Sequence, residues 1–120
     1  MIRLKPNEIK AANKYRNKPQ QVGDEKYRSK KEMTRHQELI LLERAKQILH
    51  LQREVPYVLA PSCVIQGRKR PEMRYYADFI YLDNDTGKTI IEDAKGMRTE
   101  GYRLKRHLMK TVHGIDIFET

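Results

Sequence analysis

The chain has 120 residues, of which 38% are hydrophobic and 34% are charged, so it has room for one domain with a modest core. No stretch approaches the ~20 apolar residues that a membrane span needs, and the first ten residues lack the apolar centre of a signal peptide. Cys63 is the single cysteine, which excludes an intrachain disulfide and a cysteine-based zinc site. These features predict a soluble protein of the reducing cytoplasm.

The net charge of +9 and the pI near 9.7 indicate a polyanionic partner. Basic residues outnumber acidic ones by ten to three in residues 1–31, four to one in 68–74 and five to one in 97–110. Residues 75–96 reverse this balance, with five acids and two bases. Basic phosphate contacts around an acidic, cation-binding pocket would suit a nuclease. A solubilising surface with an acidic turn explains the composition equally well.

The first elements are a basic arm and a long helix. Residues 1–28 have no sustained apolar periodicity, so we predict a mostly extended arm that becomes ordered on DNA or against a partner subunit. Apolar residues then recur at three- and four-residue steps from Ser29 to about Gln52, which predicts the longest helix. Ser29 and Glu32 have the spacing of a capping box, and Pro56 should stop the helix.

The rest of the chain alternates between strand and turn signals before a second helix. Tyr75, Tyr76, Phe79 and Tyr81 give one segment a strong strand character. The predicted elements are a strand over 57–65 interrupted at Pro61, a basic loop over 67–71, a strand over 74–82, a turn over 83–87, a strand over 88–95, a helix over about 100–112 capped by Thr99, and a short strand over 115–118. The order is helix, three strands, helix, strand. It predicts an α/β fold with a mixed sheet (α+β in the broad sense), formed by one domain over residues 29–120.

The turn at 83–87 fixes a geometry for two carboxylates. If the flanking strands form an antiparallel hairpin with Leu82 opposite Thr89, then Asp78 falls opposite Asp93. Directly opposed residues lie about 4.5–5.5 Å apart at Cβ, and two carboxylates at that distance repel unless a cation or a shared proton relieves them. This register therefore predicts a divalent-metal site. A slip of one residue would instead pair Asp78 with Glu92.

Lys95 shares a face with Asp93 and completes a chemically useful set. Two carboxylates can hold Mg²⁺ through oxygen, and a neighbouring ammonium can orient water and offset charge on a phosphate. Asp93 and Lys95 could equally be an ordinary surface pair on a half-exposed strand. Asp78 strengthens the metal interpretation, because an isolated carboxylate in its apolar run would be costly.

The segments Ala77-Asp78 and Asp93-Ala94-Lys95 resemble the signature of the PD-(D/E)xK nuclease superfamily, with alanine where that name has proline and aspartate where glutamate is more usual. The superfamily's core order is also helix, three strands, helix, strand. More closely, YRSKKEMTRHQELILLERA, RYYADFIY and IEDAKGMRTEGYRLKRHLM resemble a family of small phage-encoded proteins assigned to that superfamily and linked to Holliday-junction resolution. The resemblance implies a restriction-endonuclease-like αβββαβ core and a phage or prophage protein acting in the bacterial cytoplasm.

The resemblance also implies roles for individual residues. Asp78 and Asp93 would bind the metal, the backbone carbonyl of Ala94 would complete its shell, and Lys95 would be catalytic. A helix glutamate commonly joins such a site; Glu32 is the first choice, although it is also the capping-box residue. Glu38 and Glu43 are the alternatives on the same helix. The candidate DNA contacts are Lys30, Lys31, Arg68, Lys69, Arg70, Thr99, Tyr102, Arg103, Lys105 and Arg106.

The leading hypothesis is a Mg²⁺-dependent endonuclease, with Mn²⁺ as a substitute, that hydrolyses phosphodiesters of branched DNA. Resolving a four-way junction takes two coordinated cuts, so a homodimer is implied. The first alternative is a non-catalytic basic protein that binds nucleic acid. The second is a nuclease that acts on linear duplex or on RNA.

Overall fold

The computed structural model describes residues 20–22, 25–94 and 98–120. The predicted arm over 1–28 lies largely outside the described residues, and only its last part can be compared. There, two short strands pair antiparallel. They are β1 (Gln20–Val22) and β2 (Glu25–Tyr27).

Two helices and six further strands follow, in the order α1, β3, β4, β5, β6, β7, α2, β8. The helices are α1 (Lys30–Arg44) and α2 (Glu100–His113). The strands are β3 (Ile48–Ala60), β4 (Cys63–Ile65), β5 (Arg68–Arg70), β6 (Met73–Asp83), β7 (Thr89–Asp93) and β8 (Phe118–Glu119). No helix in the described ranges is long and apolar enough to cross a membrane.

The main sheet has four strands in the order β3-β6-β7-β8. Its first three strands are antiparallel, and β8 pairs parallel to β7. The fold is therefore mixed α+β, with a mostly antiparallel sheet and two helices, as the coarse prediction had it. If the short hairpins β1–β2 and β4–β5 are set aside, the order is helix, three strands, helix, strand.

The first helix is shorter than predicted. Ser29 caps it as expected, and its side chain accepts a hydrogen bond from the Glu32 backbone N–H. The helix ends at Arg44, however, and the chain turns through Lys46 at φ 59° before β3 begins at Ile48. The predicted extension of the helix to Gln52 was wrong. The aliphatic residues after Gln47 have a spacing that suits a helix, but they also suit a strand, and in the structure they pair with β6.

Two smaller predictions also need correction. Residues 68–70 of the predicted basic loop form β5, which pairs with β4 in a hairpin that turns through Gln66 and Gly67, both at positive φ. Pro56 lies inside β3 and does not act as a helix stop; β3 is an edge strand of the sheet, where a missing N–H is tolerated. The break at Pro61, between β3 and β4, was predicted correctly.

The two helices cover opposite faces of the sheet. On one face, Met109 and Tyr102 of α2 pack with a cluster that includes the paired residues Ile80 and Ile91. On the other face, Leu39 of α1 packs with Phe79 and Tyr81. Alternation along β6 explains this division, because neighbouring residues of a strand point to opposite faces.

The alternation of side chains between the two faces of β6 changes phase at Asp78, so that odd-numbered residues before and after it point to opposite faces. Tyr75 and Ala77 pack on the α2 side, whereas Phe79 and Tyr81 pack on the α1 side. Across from this point, the register passes from Arg53↔Phe79 to Val55↔Ala77, and the intervening Glu54 has φ 51°. A left-handed conformation is uncommon for a non-glycine residue in a strand, and such irregularities bend strands and redirect side chains. The left-handed Glu54 thus lies opposite the buried Asp78, where the alternation along β6 changes.

Candidate metal centre

Asp78 and Asp93 lie at the end of the β6–β7 hairpin. The pairs Leu82↔Thr89 and Ile80↔Ile91 confirm the predicted register, and its next position after Phe79↔Glu92 sets Asp78 opposite Asp93. The backbone N–H of Ala94 donates a 2.8 Å hydrogen bond to Asp78 Oδ2, which fixes this carboxylate beside the end of β7. The two residues are only 6% and 2% exposed, so their charges are taken out of water.

Tyr75 holds one oxygen of Asp93 and leaves the other unpaired. Its hydroxyl donates a 2.6 Å hydrogen bond to Asp93 Oδ2. The remaining oxygen, Asp93 Oδ1, is buried and has no hydrogen-bond partner within the described part of the chain. Buried polar atoms are rarely left in this state, because each costs about 1–3 kcal/mol. An unpaired, oriented carboxylate oxygen is a natural ligand for a cation.

Glu32 adds a third buried carboxylate from the first turn of α1. Its backbone N–H forms the cap with Ser29 at 3.2 Å, and its side chain, 3% exposed, forms an ion pair with Arg53 at 3.1 Å. The capping role and the site role predicted for Glu32 are therefore compatible, since the cap uses the backbone. The other helix glutamates lie elsewhere: Glu38 is exposed and pairs with Arg35, and Glu43 accepts from the Leu51 N–H.

The three carboxylates interact electrostatically, because the charges of Asp93 and Glu32 both act on Asp78. Burial raises the pKa of Asp78 well above its usual range, and the negative charges of Asp93 and Glu32 raise it further. Arg28 and the Ala94 N–H act in the opposite direction. Burial and the charge of Asp93 likewise raise the pKa of the Tyr75 hydroxyl, so this hydroxyl remains a hydrogen-bond donor. A cation bound here would stabilise the ionised form of Asp78.

The donor atoms present at this site are carboxylate oxygens, the type that binds a hard divalent cation. Carboxylate oxygens are the ligands that Mg²⁺ prefers, usually one or two of them together with water and phosphate. Asp93 Oδ1 is unpaired among the described residues, and Asp78 is destabilised in its ionised form. In residues 20–22, 25–94 and 98–120, no group of three or more histidine, cysteine, aspartate or glutamate side chains is placed so that it could hold a metal ion. The candidate ligands are therefore the pair Asp78 and Asp93, and Glu32 would have to leave its ion pair with Arg53 to join them.

Glu92, the alternative ligand from a slipped register, has a different role. It is fully buried, and Arg35 binds both of its oxygens, with its shortest contact at 2.7 Å. Tyr81 donates a further hydrogen bond at 3.1 Å, and burial together with Glu92 raises the pKa of Tyr81 to about 12. Glu92 therefore joins β7 to α1, on the face opposite Ile91.

Lys95 lies outside the described residues, so its predicted role has no structural counterpart here. Of the predicted DNA contacts near α2, Thr99 caps the helix and Tyr102 is buried, with its hydroxyl donating to Glu119 at 2.7 Å. Arg103 and Arg106 are exposed and lie within 3.6 and 3.3 Å of Glu100 and Glu119. The remaining predicted contacts are half-exposed Lys105 and exposed Lys30, Lys31, Arg68, Lys69 and Arg70.

Sequence reasoning missed three polar residues around the site: Tyr75, Arg53 and Glu54. From the sequence, Tyr75 was used only as a strand signal. Arg53 lies over the Tyr27 ring at 4.4 Å and donates to the Lys26 carbonyl as well as to Glu32. Glu54 is 7% exposed, and burial, followed by the charge of Glu32, raises its pKa, against the effect of Arg28. No local sequence signal identified Arg53 and Glu54, because the strand that carries them, β3, was not predicted over these residues.

Comparison with known proteins identifies the family. The model of the family described as "Protein of unknown function (DUF1064)" matches residues 12–115. The chain belongs to this family. The match includes the three buried carboxylates, both helices and the β4–β5 hairpin. No curated protein and no solved structure matches the chain.

Proposed function

We propose that this protein is a metal-dependent endonuclease whose site is formed by Glu32, Asp78 and Asp93, with Lys95 as the catalytic base or water-orienting group. The observation that carries the proposal is the buried Asp93 Oδ1, which has no partner among the described residues, beside an Asp78 whose ionised form is disfavoured by burial and by its acidic neighbours. A protein that only bound nucleic acid would gain nothing from negative charge buried at this point. The resemblance to PD-(D/E)xK nucleases supports the same assignment.

In the proposed reaction, a divalent cation supplies Lewis acidity, polarising the scissile phosphate and acidifying water. The residues of this chain fix the geometry. Tyr75 orients Asp93 by holding Oδ2, and the Ala94 N–H orients Asp78. Arg53 forms an ion pair with Glu32 at 3.1 Å, and Glu32 would be shared with a bound cation. Groups fixed before the reaction need not reorganise during it, which is the main electrostatic advantage of an enzyme site.

The preferred substrate that we propose is branched DNA, with the protein acting as a homodimer. The net charge of +9 supports a polyanionic substrate. The order helix, three strands, helix, strand supports a restriction-endonuclease-like core. The preference for junctions and the dimer rest on the family resemblance, because no residue described above recognises a branch point.

The test is incubation of the purified protein with a four-way junction, a linear duplex and an RNA duplex, in Mg²⁺, Mn²⁺ or EDTA. We expect cleavage of the junction that requires metal and is lost in Asp78→Ala. Asp85→Ala is the matched control, since it removes an exposed carboxylate from the turn of the same hairpin, and it should cleave like the wild type. Absence of metal-dependent cleavage of every substrate would contradict the proposal and favour a non-catalytic nucleic-acid-binding protein.

A further inference from the structure

The β3–β6 pair continues past the metal centre as a two-stranded projection. The paired residues of β7 reach only to Glu92↔Phe79, whereas β3 and β6 remain paired as far as Ala60↔Met73. Beyond them the β4–β5 hairpin extends further, and residues 61–71 are all exposed. We call residues 61–71 the ribbon. It extends from the part of the sheet that carries Asp78.

One face of this projection is covered and the other is open. On the covered face, Leu59 and Tyr75 pack against Tyr102 and Met109 of α2, and His113 hydrogen-bonds to the Val58 carbonyl at 2.7 Å. The open face presents Pro56, Val58, Arg74 and Tyr76, which are exposed or half-exposed with respect to the described residues. The helix therefore supports the projection from behind and leaves a surface that begins beside the metal centre.

The open face and the ribbon are basic, with apolar residues among the charges. Residues 61–71 contain Arg68, Lys69 and Arg70 and no acid. Lys69, Arg74 and Tyr76 line a shared groove at the base of the ribbon; the one acid there, Glu72, pairs with Arg74 at 2.5 Å. Val64 and Ile65 near the tip are 69% and 54% exposed. Apolar side chains at a basic tip can contact sugars and thymine methyl groups.

We propose that the ribbon binds in the major groove of duplex DNA on one side of the bond that the metal centre cleaves. This inference rests on the proposed function and adds to it a duplex arm of defined length. A two-stranded β-ribbon has dimensions that the major groove of B-DNA admits. Arg68 is ten residues from Asp78 along the chain, which at ~3.3 Å per residue is at most ~33 Å, about one turn of B-DNA. The required duplex arm is therefore about one helical turn.

The test compares two variants that remove the same charge from opposite ends of the sheet. Arg68→Ala/Lys69→Ala/Arg70→Ala removes the basic strand of the ribbon, where every side chain is exposed, so the fold should persist. Arg44→Ala/Lys46→Asn/Lys88→Ala is the matched control near the α1–β3 and β6–β7 turns; asparagine is chosen at residue 46 because φ is 59° there. Binding is measured by fluorescence anisotropy in EDTA, on duplexes of about 30 and about 10 base pairs, at several salt concentrations.

For the long duplex, we expect the ribbon variant to lose at least ~10-fold in affinity and up to about three units of salt-dependence slope, since about 0.9 units are lost per phosphate contact. The control should lose much less, and the difference between the two variants should persist on the short duplex, because about 10 base pairs make one helical turn. Equal losses in both variants, or no loss in the ribbon variant, would overturn the proposal. So would a change of oligomeric state with unchanged affinity, which would make the ribbon a contact between copies of the chain.

The two proposals fail in different ways. The anisotropy measurement contains no metal, so it does not depend on hydrolysis. Ribbon-dependent binding without cleavage in Mg²⁺ or Mn²⁺ would contradict the nuclease and leave the ribbon's role intact. Metal-dependent cleavage of long duplexes, equally efficient in the ribbon variant and the wild type, would contradict the ribbon's role and leave the nuclease intact.

Discussion

At the residue scale, the two oxygens of Asp93 have opposite environments. Oδ2 accepts a short hydrogen bond from Tyr75, whereas Oδ1 is buried without a partner among the described residues. A carboxylate that served only to stabilise the fold would place both oxygens against donors, as Glu92 does with Arg35 and Tyr81. The contrast between the two adjacent acids of β7 supports a structural role for Glu92 and the ligand role that we propose for Asp93.

Tyr75→Phe should weaken cation binding without unfolding the protein. The change removes only the hydroxyl that orients Asp93, and loss of such a supporting hydrogen bond typically costs 10–100-fold in metal affinity or activity. Mn²⁺ affinity measured by calorimetry and the Mn²⁺ dependence of cleavage should shift together. Tyr57→Phe is the matched control, because Tyr57 pairs with Tyr75 across the β3–β6 ladder. Equal Mn²⁺ affinities for the two variants would show that the Tyr75 hydroxyl does not support cation binding.

Asp78→Asn should stabilise the metal-free protein at neutral pH. Because the folded-state pKa of Asp78 lies above its ordinary value, its contribution favours folding at acid pH and is lost as the pH rises through that raised pKa. At pH 7 the variant should therefore melt a few degrees above the wild type. The difference should shrink as the pH falls towards about 4, the ordinary range of an aspartate. Thermal melts across this pH range in EDTA measure the effect.

The same melts repeated in Mn²⁺ provide the control. Mn²⁺ should raise the melting temperature of the wild type, since a ligand that binds only the folded state stabilises it by mass action. It should raise that of Asp78→Asn much less. A metal-free Asp78→Asn protein that is less stable than the wild type at pH 7 would show that the Asp78 carboxylate supports the fold.

At the scale of elements, the α1–β7 contact should be one of the strongest single polar contributions to the fold. Arg35 binds Glu92, whose side chain is 0% exposed, so Arg35→Ala would leave a buried charge without its partner. Breaking such a pair typically costs about 3–5 kcal/mol. Urea denaturation should show a loss of this size. Glu38→Ala removes the exposed partner of Arg35 and should cost no more than about 1 kcal/mol; similar losses in both variants would contradict the distinction.

Elements with one dominant signal were predicted well from the sequence. The aromatic strand β6, the turn chemistry after Asp83 and the Thr99 cap identified their elements because local preferences and packing agree there. The end of α1 was placed wrongly because Ile48, Leu49 and Leu51 satisfy a helical spacing, while the competing pairing with β6 is a long-range contact. The ribbon was missed as a hairpin because its exposed residues carry no buried face to indicate a strand.

The candidate site also has a part that could be predicted from local sequence and a part that could not. The opposition of Asp78 and Asp93 follows from turn length and strand alternation, which are local, and the register predicted from them agrees with the structure. Tyr75, Arg53 and Glu54 could not be assigned in advance. Their positions depend on the change of phase at Asp78 and on the left-handed backbone of Glu54, and neither has a local sequence signal.

At the scale of the whole molecule, the acidic and the basic residues to which we assign functions lie in different parts of the fold. The buried carboxylates Asp78 and Asp93 lie on β6 and β7, while basic side chains lie on the ribbon and along the exposed side of α2. A polyanion would be attracted by the net charge and would meet the acidic centre only through a cation. This distribution of charge supports the metal-dependent nuclease that we propose.

The most direct measurement of this central claim is anomalous scattering from a crystal soaked with Mn²⁺. We expect an anomalous peak in contact with Asp93 Oδ1 and an oxygen of Asp78, with Tyr75 still hydrogen-bonded to Asp93 Oδ2. We expect no such peak in Asp78→Asn crystals. A wild-type crystal with no peak between these two carboxylates at saturating Mn²⁺, or with an ion only at unrelated surface acids, would contradict it.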